Sequence, residues 1–439
     1  MRQIDLLTSL PPSLACFILQ NWLTLKSVIK LDSSYCSTVS RQCFVDLLLS
    51  NGYFIRETVV IKSNSAALRG SAGFFRKVGD KIRSIYFTSN IPTGAATLVT
   101  SHCHKLTAVL FNDCTPELWK LLQKNEHLES LRCHASENSG EVHFNPVFSG
   151  LRLPKLRTLA LTHTSLNETQ IMDIQHMSAN IVALELSYCN IYPSALKLLP
   201  QMCQKVRALG LSGLRLSDES LRIITAACPN ISHLDISDNS EITDAGILAV
   251  AQNLKSLLSL NLMYIYDVTD ASLVHLYTHC ANTLHTLHVS SAQGFGEAFD
   301  RLLVQCTKLH TLHYGDDHID PIDPIVTLPN SLHNLTTLVL FDCAISEVNL
   351  AQVGHYAVNL EVLSIYESGR YSSDNLLDIF TNCTKLKELY VDLESVDDVG
   401  IRNTDAFALL ALQFWKRMRP GLKINIFPPY DLEYDVLKM

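Results

Sequence analysis

One spacing of apolar residues recurs along most of the chain: apolar, two variable residues, apolar, one variable residue, apolar. It runs as Ile82-Ile85-Phe87, Leu106-Val109-Phe111, Leu128-Leu131-Cys133, Leu156-Leu159-Leu161 and Ile181-Leu184-Leu186. It continues as Val206-Leu209-Leu211, Ile231-Leu234-Ile236, Leu257-Leu260-Leu262 and Leu284-Leu287-Val289. The last units are Leu309-Leu312-Tyr314, Leu335-Leu338-Leu340, Leu360-Leu363-Ile365 and Leu386-Leu389-Val391. Successive first positions lie 24, 22, 28, 25, 25, 25, 26, 27, 25, 26, 25 and 26 residues apart. A sustained period of this length marks a repeat array. The alternating part of each unit predicts a short strand, and helical spacing follows it, as in Leu221, Ile224 and Thr225 or Ile247, Leu248 and Ala251. Ser217-Asp218-Glu219, Thr243-Asp244-Ala245 and Thr269-Asp270-Ala271 put a capping hydroxyl and an acid at a helix start, where free N–H groups and the helix dipole favour them. A single strand and helix cannot bury their own apolar face. Stacked units can, so the pattern predicts an α/β solenoid with a parallel sheet on the concave side and helices on the convex side.

Some units depart from the pattern. Ser290 to Cys306 lacks the capping pair and carries Gly294 and Gly296. Gly315-Asp316-Asp317-His318-Ile319-Asp320-Pro321-Ile322-Asp323-Pro324 is too rich in proline and acid for a full helix, and predicts an irregular convex loop. Ala135 to Gly140 reads as a surface loop. Three segments follow: a helical module over 1–52, a solenoid over 53–413, and a C-terminal cap over 414–439. In the cap, Leu422 to Phe427 reads as a last strand stopped by Pro428-Pro429, blunting the open sheet edge.

The period and spacing resemble the leucine-rich repeat, so the resemblance implies a horseshoe. More narrowly they resemble its cysteine-containing subtype, common in F-box proteins. Cys103, Cys203, Cys228, Cys306 and Cys383 stand three residues before a first apolar position, and Cys280 four before. Cys114, Cys189 and Cys343 stand eight after it, where Asn239, Thr164 and Ser368 also occur. That second slot turns inward after the strand, where a small polar side chain can satisfy backbone leaving the ladder. The N-terminal segment resembles a degenerate F-box through Leu10-Pro11, Leu14, Ile18-Leu19, Leu23, Ser27-Val28, Leu31 and Cys36. Pro12-Ser13 replaces the usual acid after Leu-Pro, and no tryptophan follows Cys36. The resemblance implies that Leu10, Pro11, Leu14, Ile18, Leu19, Leu23, Val28 and Leu31 dock a Skp-type adaptor of a cullin–RING ubiquitin ligase. The alternative is a plain cap over the first repeat.

Composition narrows the picture. Of 439 residues, 47% are hydrophobic and 18% charged, which excludes a largely disordered chain. The net charge of −8, with no run of five like charges, argues against a nucleic-acid partner. The start does not read as a secretory signal and no long apolar run predicts a membrane span. The 13 cysteines are then expected to be reduced thiols in the cytosol or nucleus.

Candidate chemistry is sparse. Asp235, Asn261, His288 and His313 fall at equivalent strand positions and should form one column, a donor set zinc could use, although the spacing matches no metal motif. A polar ladder on a partner-facing surface is the plainer reading, and no metal or other cofactor is expected. The cysteines occupy inward positions without a local Cys-His signature. Gly294-Phe295-Gly296 lacks the third glycine of a phosphate loop, and Asp316-Asp317 and Asp397-Asp398 read as solvated loop acids. The sequence therefore predicts a binding scaffold with no catalytic residue. Its expected interface is the concave face, with Glu185, Tyr188, His233, Asp235, Asp238, Tyr264, His288, His313, Asp316, Asp342, Tyr366, Glu367, Tyr390 and Asp392. Acids interleaved with tyrosines suit a protein target with a basic or amide-rich face. Two functions fit: a substrate-recognition subunit of a ubiquitin ligase, or a scaffold without any ligase link.

Overall fold

The computed structural model describes residues 59–61, 75–76, 79–88, 93–112, 121–134, 148–291, 295–316, 332–341, 347–366, 373–392, 394–396, 402–404 and 416–427. The N-terminal module with its eight docking candidates lies outside the described residues, as do Asp342 and Glu367. The chain forms two compact units, residues 1–206 and 207–439.

In the first unit, β1 (Val59–Ile61), β2 (Ser84–Phe87), β3 (Ala108–Asn112), β4 (Ser130–His134) and β5 (Thr158–Thr162) pair in parallel, each with the next. The short β6 (Ser165–Leu166) follows, and β7 (Ala183–Glu185) continues the main sheet beside β5. A second ladder pairs β6 with β8 (Asn190–Ile191). Helices α1 (Thr93–His102), α2 (Glu168–Met177), α3 (Pro193–Leu196) and α4 (Leu199–Met202) lie between strands. Strand β1 stands one repeat ahead of the first unit read from the sequence. Val59 and Ile61 hold the second and third apolar slots, but Arg56 occupies the first, which breaks the motif.

The second unit repeats the plan with fewer departures. Strands β9 (Ala208–Gly210), β10 (His233–Asp235), β11 (Ser259–Leu262), β12 (Thr286–Ser291) and β13 (Thr311–Asp316) pair in parallel in that order. The sheet continues through β14 (Thr337–Phe341), β15 (Val362–Tyr366) and β16 (Glu388–Asp392). Strands β17 (Glu394–Val396) and β18 (Arg402–Thr404) form a separate antiparallel pair, and β19 (Lys423–Phe427) closes the main sheet against β16. Helices α5 (Asp218–Ala227), α6 (Asp244–Asn253), α7 (Asp270–Cys280), α8 (Glu297–Gln305), α9 (Glu347–Tyr356) and α10 (Ser373–Asn382) fill the connections. Each unit is a leucine-rich-repeat solenoid of α/β class.

All three apolar positions of all thirteen motifs are buried, none more than 5% exposed. Each such Leu or Ile contributes about 1.5–3 kcal/mol by leaving water, so the motif is the core. The cysteine slot three residues before it is enclosed in nearly every unit, and a polar side chain there also satisfies backbone. Asn125 occupies it in one unit, accepting from Leu106 N–H (3.0 Å) and donating to the carbonyls of Cys103 and Leu121. Ser178 occupies it in another and donates to Leu156 O (3.0 Å). Burial pushes the thiols up, Cys103 and Cys306 to about 12 and Cys189, Cys280 and Cys383 to about 11, so they stay protonated and unreactive at neutral pH.

The inward slot after the strand behaves as its polarity predicts. Asn239 is fully buried and accepts from the N–H groups of Leu214 (3.1 Å) and Leu216 (2.9 Å). Its amide donates toward Leu211 O, Ile236 O and Ser237 O. Cys189 holds the same slot with its thiol on Leu161 O (3.2 Å).

The capping hydroxyls are where the sequence put them: Ser217, Thr243 and Thr269 accept from the first turns of α5, α6 and α7. The acids do more than face a dipole. Asp218 accepts from both Thr243 N–H (2.9 Å) and its hydroxyl (2.7 Å). Asp244 does the same to Thr269 and also takes Ser272 N–H (3.1 Å), while Asp270 takes Gly296 N–H (2.9 Å). Each helix start thus caps the next one. Helix α8, which has no capping side chain of its own, is held by its neighbour.

Asp316 requires a correction. It was expected in a loop just beyond the strand, but β13 runs through Gly315 and Asp316, with Asp316 paired to Ser291. Gly315 permits this extension, since a Cβ there would lie 2.4 Å from the ring of Phe341 on β14.

Candidate protein-binding face of the second unit

Strand alternation sends Leu260, Leu287, Leu312, Leu338 and Leu363 into the core, so the residue after each faces away from the helices. Register then lines up one row: Asp235, Asn261, His288, His313, Val339, Ser364, Tyr390 and Asn425. The column expected from the sequence is the first half of this row. Its neighbour carries Ser290, Gly315, Phe341 and Tyr366.

The acidic end is internally satisfied. Asp235 Oδ1 accepts from Ser237 N–H (3.0 Å) and its hydroxyl (2.6 Å), and Oδ2 accepts from Asn261 Nδ2 (3.0 Å). Asn261 Oδ1 in turn accepts from Met263 N–H (3.1 Å). A carboxylate so committed orients its neighbours more than it attracts a partner.

The imidazoles of His288 and His313 stack in parallel, centroids 3.9 Å apart and planes 5° apart. Burial pushes His288 down to about 4; burial and the adjacent His288 push His313 down to about 3. Both rings are neutral at pH 7. Their in-plane lone pairs run in parallel planes and do not converge on one point, which a metal bound at about 2.0–2.1 Å to each nitrogen requires. His288 Nδ1 is buried without a hydrogen-bond partner. His313 is only 8% exposed, which leaves it little surface for a partner.

The imidazoles share the face with an apolar patch. Met263, Val339 and Phe341 form one buried cluster with Tyr264 packed against it. None of these three is among the polar and aromatic residues expected at the interface from the sequence. The signal was present: Leu338-Val339-Leu340-Phe341 is continuously apolar, the mark of a strand buried on both faces. Farther along, Tyr390 donates to Glu388 Oε2 (2.8 Å), and Lys423 reaches Glu388 Oε1 (2.6 Å), holding that carboxyl below its usual range.

The remaining expected residues scatter. His233 is exposed, with its ring 2.9 Å from the Ser232 hydroxyl. Asp238 and Tyr264 sit seven residues after a first apolar position with left-handed φ of 54° and 58°. Tyr366 and Asp392 are fixed by backbone register, opposite Phe341 and Phe427. Glu185 and Tyr188 belong to the first unit. There Glu185 accepts from the Ser187 hydroxyl, and Tyr188, also left-handed at 56°, stacks on His163 with centroids 5.3 Å apart. Among the described residues no three His, Cys, Asp or Glu side chains gather as a metal ion would need.

No protein-family model matches the chain. Over 245 residues it is 23% identical to the F-box protein FBX14 of Arabidopsis thaliana, covering 53% of this chain and 35% of that protein. Over 176 residues it is 26% identical to the F-box protein SKIP1 of the same plant, covering 39% and 54%. The chain is similar to F-box proteins. It spans about a third of the length of the first F-box relative and about half of the second. Among solved structures, the crystal structure of the Rad7 and Elc1 complex in yeast aligns with a TM-score of 0.49 and 14% identity, over 84% of this chain and 90% of that one. No helix among the described residues is long and apolar enough to cross a membrane.

Proposed function

We propose that this protein is the substrate-recognition subunit of a cullin–RING ubiquitin ligase, acting in the cytosol or nucleus. Its N-terminal segment, through Leu10-Pro11 and the apolar positions to Leu31, docks a Skp-type adaptor. The sheet face of the second unit holds a protein target. The reading rests on the similarity to F-box proteins, joined to a leucine-rich-repeat fold whose long sheet face is of the kind solenoids use for binding. The role is one of binding and presentation, with neither nucleic acid nor membrane as partner. On the face itself, the rim residues His233 and Asp238 and the Tyr390–Glu388 pair offer polar contact around the Met263–Phe341 cluster.

A pull-down of the full chain against a Skp-type adaptor, beside a truncation beginning at Asn51, tests the ligase reading. Capture by the full chain and not by a folded truncation supports it. A folded full chain that captures no adaptor removes it. The protein is then a scaffold whose first helices cap the solenoid, a reading favoured by Pro12-Ser13 in place of the usual acid.

A further inference from the structure

The first unit carries a row of positive charge that the sheet-face reading does not use. It lies in the turns that lead into the strands. The residue before each first apolar position is Lys81, Lys105, His127, Lys155, Asn180 and Lys205 in successive repeats. That is four lysines and no acid, in a chain whose net charge is −8. At the same slot the second unit has Asn230, Ser256, Thr283, Asn334 and Asn359, with lysine at Lys308 and Lys385 alone. The fold itself therefore does not require a cation there.

The backbone holds these turns in register. Arg83 O accepts from the N–H groups of Thr107 (2.8 Å) and Ala108 (3.0 Å), Thr107 O from those of Glu129 and Ser130, and Glu129 O from those of Arg157 and Thr158. Equivalent side chains then follow one another at the strand spacing of about 4.8 Å. Lys205 Nζ reaches Asn180 Oδ1 (3.4 Å), so neighbours in the row stand on one side of it. A parallel row, one residue past the first apolar position, adds Arg83 and Arg157, with Glu129 in the repeat before Arg157. Lys105, Lys155, Arg157 and Glu129 are exposed, and among the described residues none of them forms an ion pair. In the second unit, Lys387 and Glu361 hold the slots of Arg157 and Glu129 and do pair (2.6 Å).

Like charges held side by side oppose one another, and a carboxylate set between two of them relieves both. The cations fall into two groups, Lys81 with Lys105 and Lys155 with Arg157, parted by the repeat that carries Glu126, His127 and Glu129. Lys105 and Lys155 stand two repeats apart, about 10 Å at the strand spacing, which an extended chain covers in about three residues. A nucleic acid fits this pattern poorly. Its charge is continuous and would fall on Glu126 and Glu129, and no Phe, Tyr or Trp stands in these turns for a base to stack on.

We propose that this row docks an acidic segment of a partner protein in extended form, with carboxylates at positions i and i+3 set on the two groups and uncharged residues between them. The contact uses no residue of the sheet face of the second unit.

The test titrates the full chain at low salt, by saturation-transfer NMR, with three hexapeptides. These are Glu-Glu-Ala-Ala-Glu-Glu, its isomer Ala-Glu-Glu-Glu-Glu-Ala and the analogue Gln-Gln-Ala-Ala-Gln-Gln. The first should bind with a Kd on the order of millimolar, as a few exposed ion pairs permit. It should bind at least about fivefold more tightly than the glutamine analogue, and about threefold more tightly than the isomer, whose central acids fall on Glu126 and Glu129. Lys105→Gln with Lys155→Gln should weaken it by at least about fivefold. Lys308→Gln, at the same slot of the second unit, should leave it unchanged. All three lysines are exposed, so the variants are expected to fold, and a melting temperature establishes it. A glutamine analogue or an isomer that binds as tightly as the first peptide overturns the proposal, and so does a folded double variant that binds it unchanged. Hexathymidylate that binds more tightly than the peptide, and loses binding in the double variant, overturns it too, because the row then takes nucleic acid. None of these outcomes touches the adaptor pull-down.

Discussion

At the scale of single residues, stability concentrates in polar groups the fold has enclosed. Asn239 satisfies two N–H groups of the turn before it and faces three carbonyls. Replacing it by alanine strands several of these groups away from water. Asn239→Ala is expected to cost about 2–4 kcal/mol, on the basis of about 1–3 kcal/mol for each buried group left unmet. Denaturant unfolding measures this, and a loss below about 0.5 kcal/mol would mean that water replaces the amide. The stacked imidazoles give a pH signature. His288 and His313 fold with pKa values of about 4 and about 3, below the usual 6.5, so the folded state binds fewer protons than the unfolded chain over that range. Their contribution is complete above 6.5 and is lost as pH falls toward the folded values. The melting temperature should therefore drop between pH 6.5 and 4, and His288→Leu with His313→Leu should flatten that part of the curve. An unchanged slope in the double variant places the acid sensitivity elsewhere. The spacing that put the two histidines side by side was legible in the sequence. Their burial was not, because it depends on side chains that other repeats bring to the face.

At the scale of elements, the helix starts are coupled by their acids. Asp244 accepts from the N–H groups of Thr269 and Ser272 and from both their hydroxyls. Asp244→Ala should cost about 1–2 kcal/mol, the size of a lost helix cap, and its effect should appear one repeat away. Amide exchange of Ala271 and Ser272 at the start of α7 is expected to quicken more than that of α6 itself. Quickening confined to α6 would mean that Asp244 serves only its own dipole. The sequence marked Asp244 as a first-turn acid. It could not say which helix start the carboxylate serves, because that depends on how far apart stacking leaves them. The extension of β13 follows the same logic: Gly315→Val should drive a side chain into the Phe341 ring and cost about 1–3 kcal/mol, as overpacking does. A variant as stable as the parent would show that Phe341 turns aside freely.

At the scale of the whole molecule, the repeat period carried nearly all of the architecture. Thirteen motifs gave thirteen buried triplets because each apolar position faces the interior whatever the neighbouring unit contains. The division at residue 206 left no trace in that spacing, since it falls between Val206 and Leu209 of one motif. Strand β1 lacks the full motif, since Arg56 stands at its first position. The eight cysteines among the described residues, all buried, are expected to react slowly with iodoacetamide in the native protein at pH 8 and rapidly after unfolding, read by mass spectrometry. Rapid native labelling of Cys103 or Cys306 would contradict their burial. What the sequence determined by itself was the register of core-facing positions, the strand and helix order and the capping residues, all set by contacts within one repeat. What only the tertiary structure decided was which outward residues remain available to a partner. Asp235 is consumed by Ser237 and Asn261, and His313 is enclosed. An outward position is defined by its own strand, but its exposure is fixed by side chains arriving from other repeats.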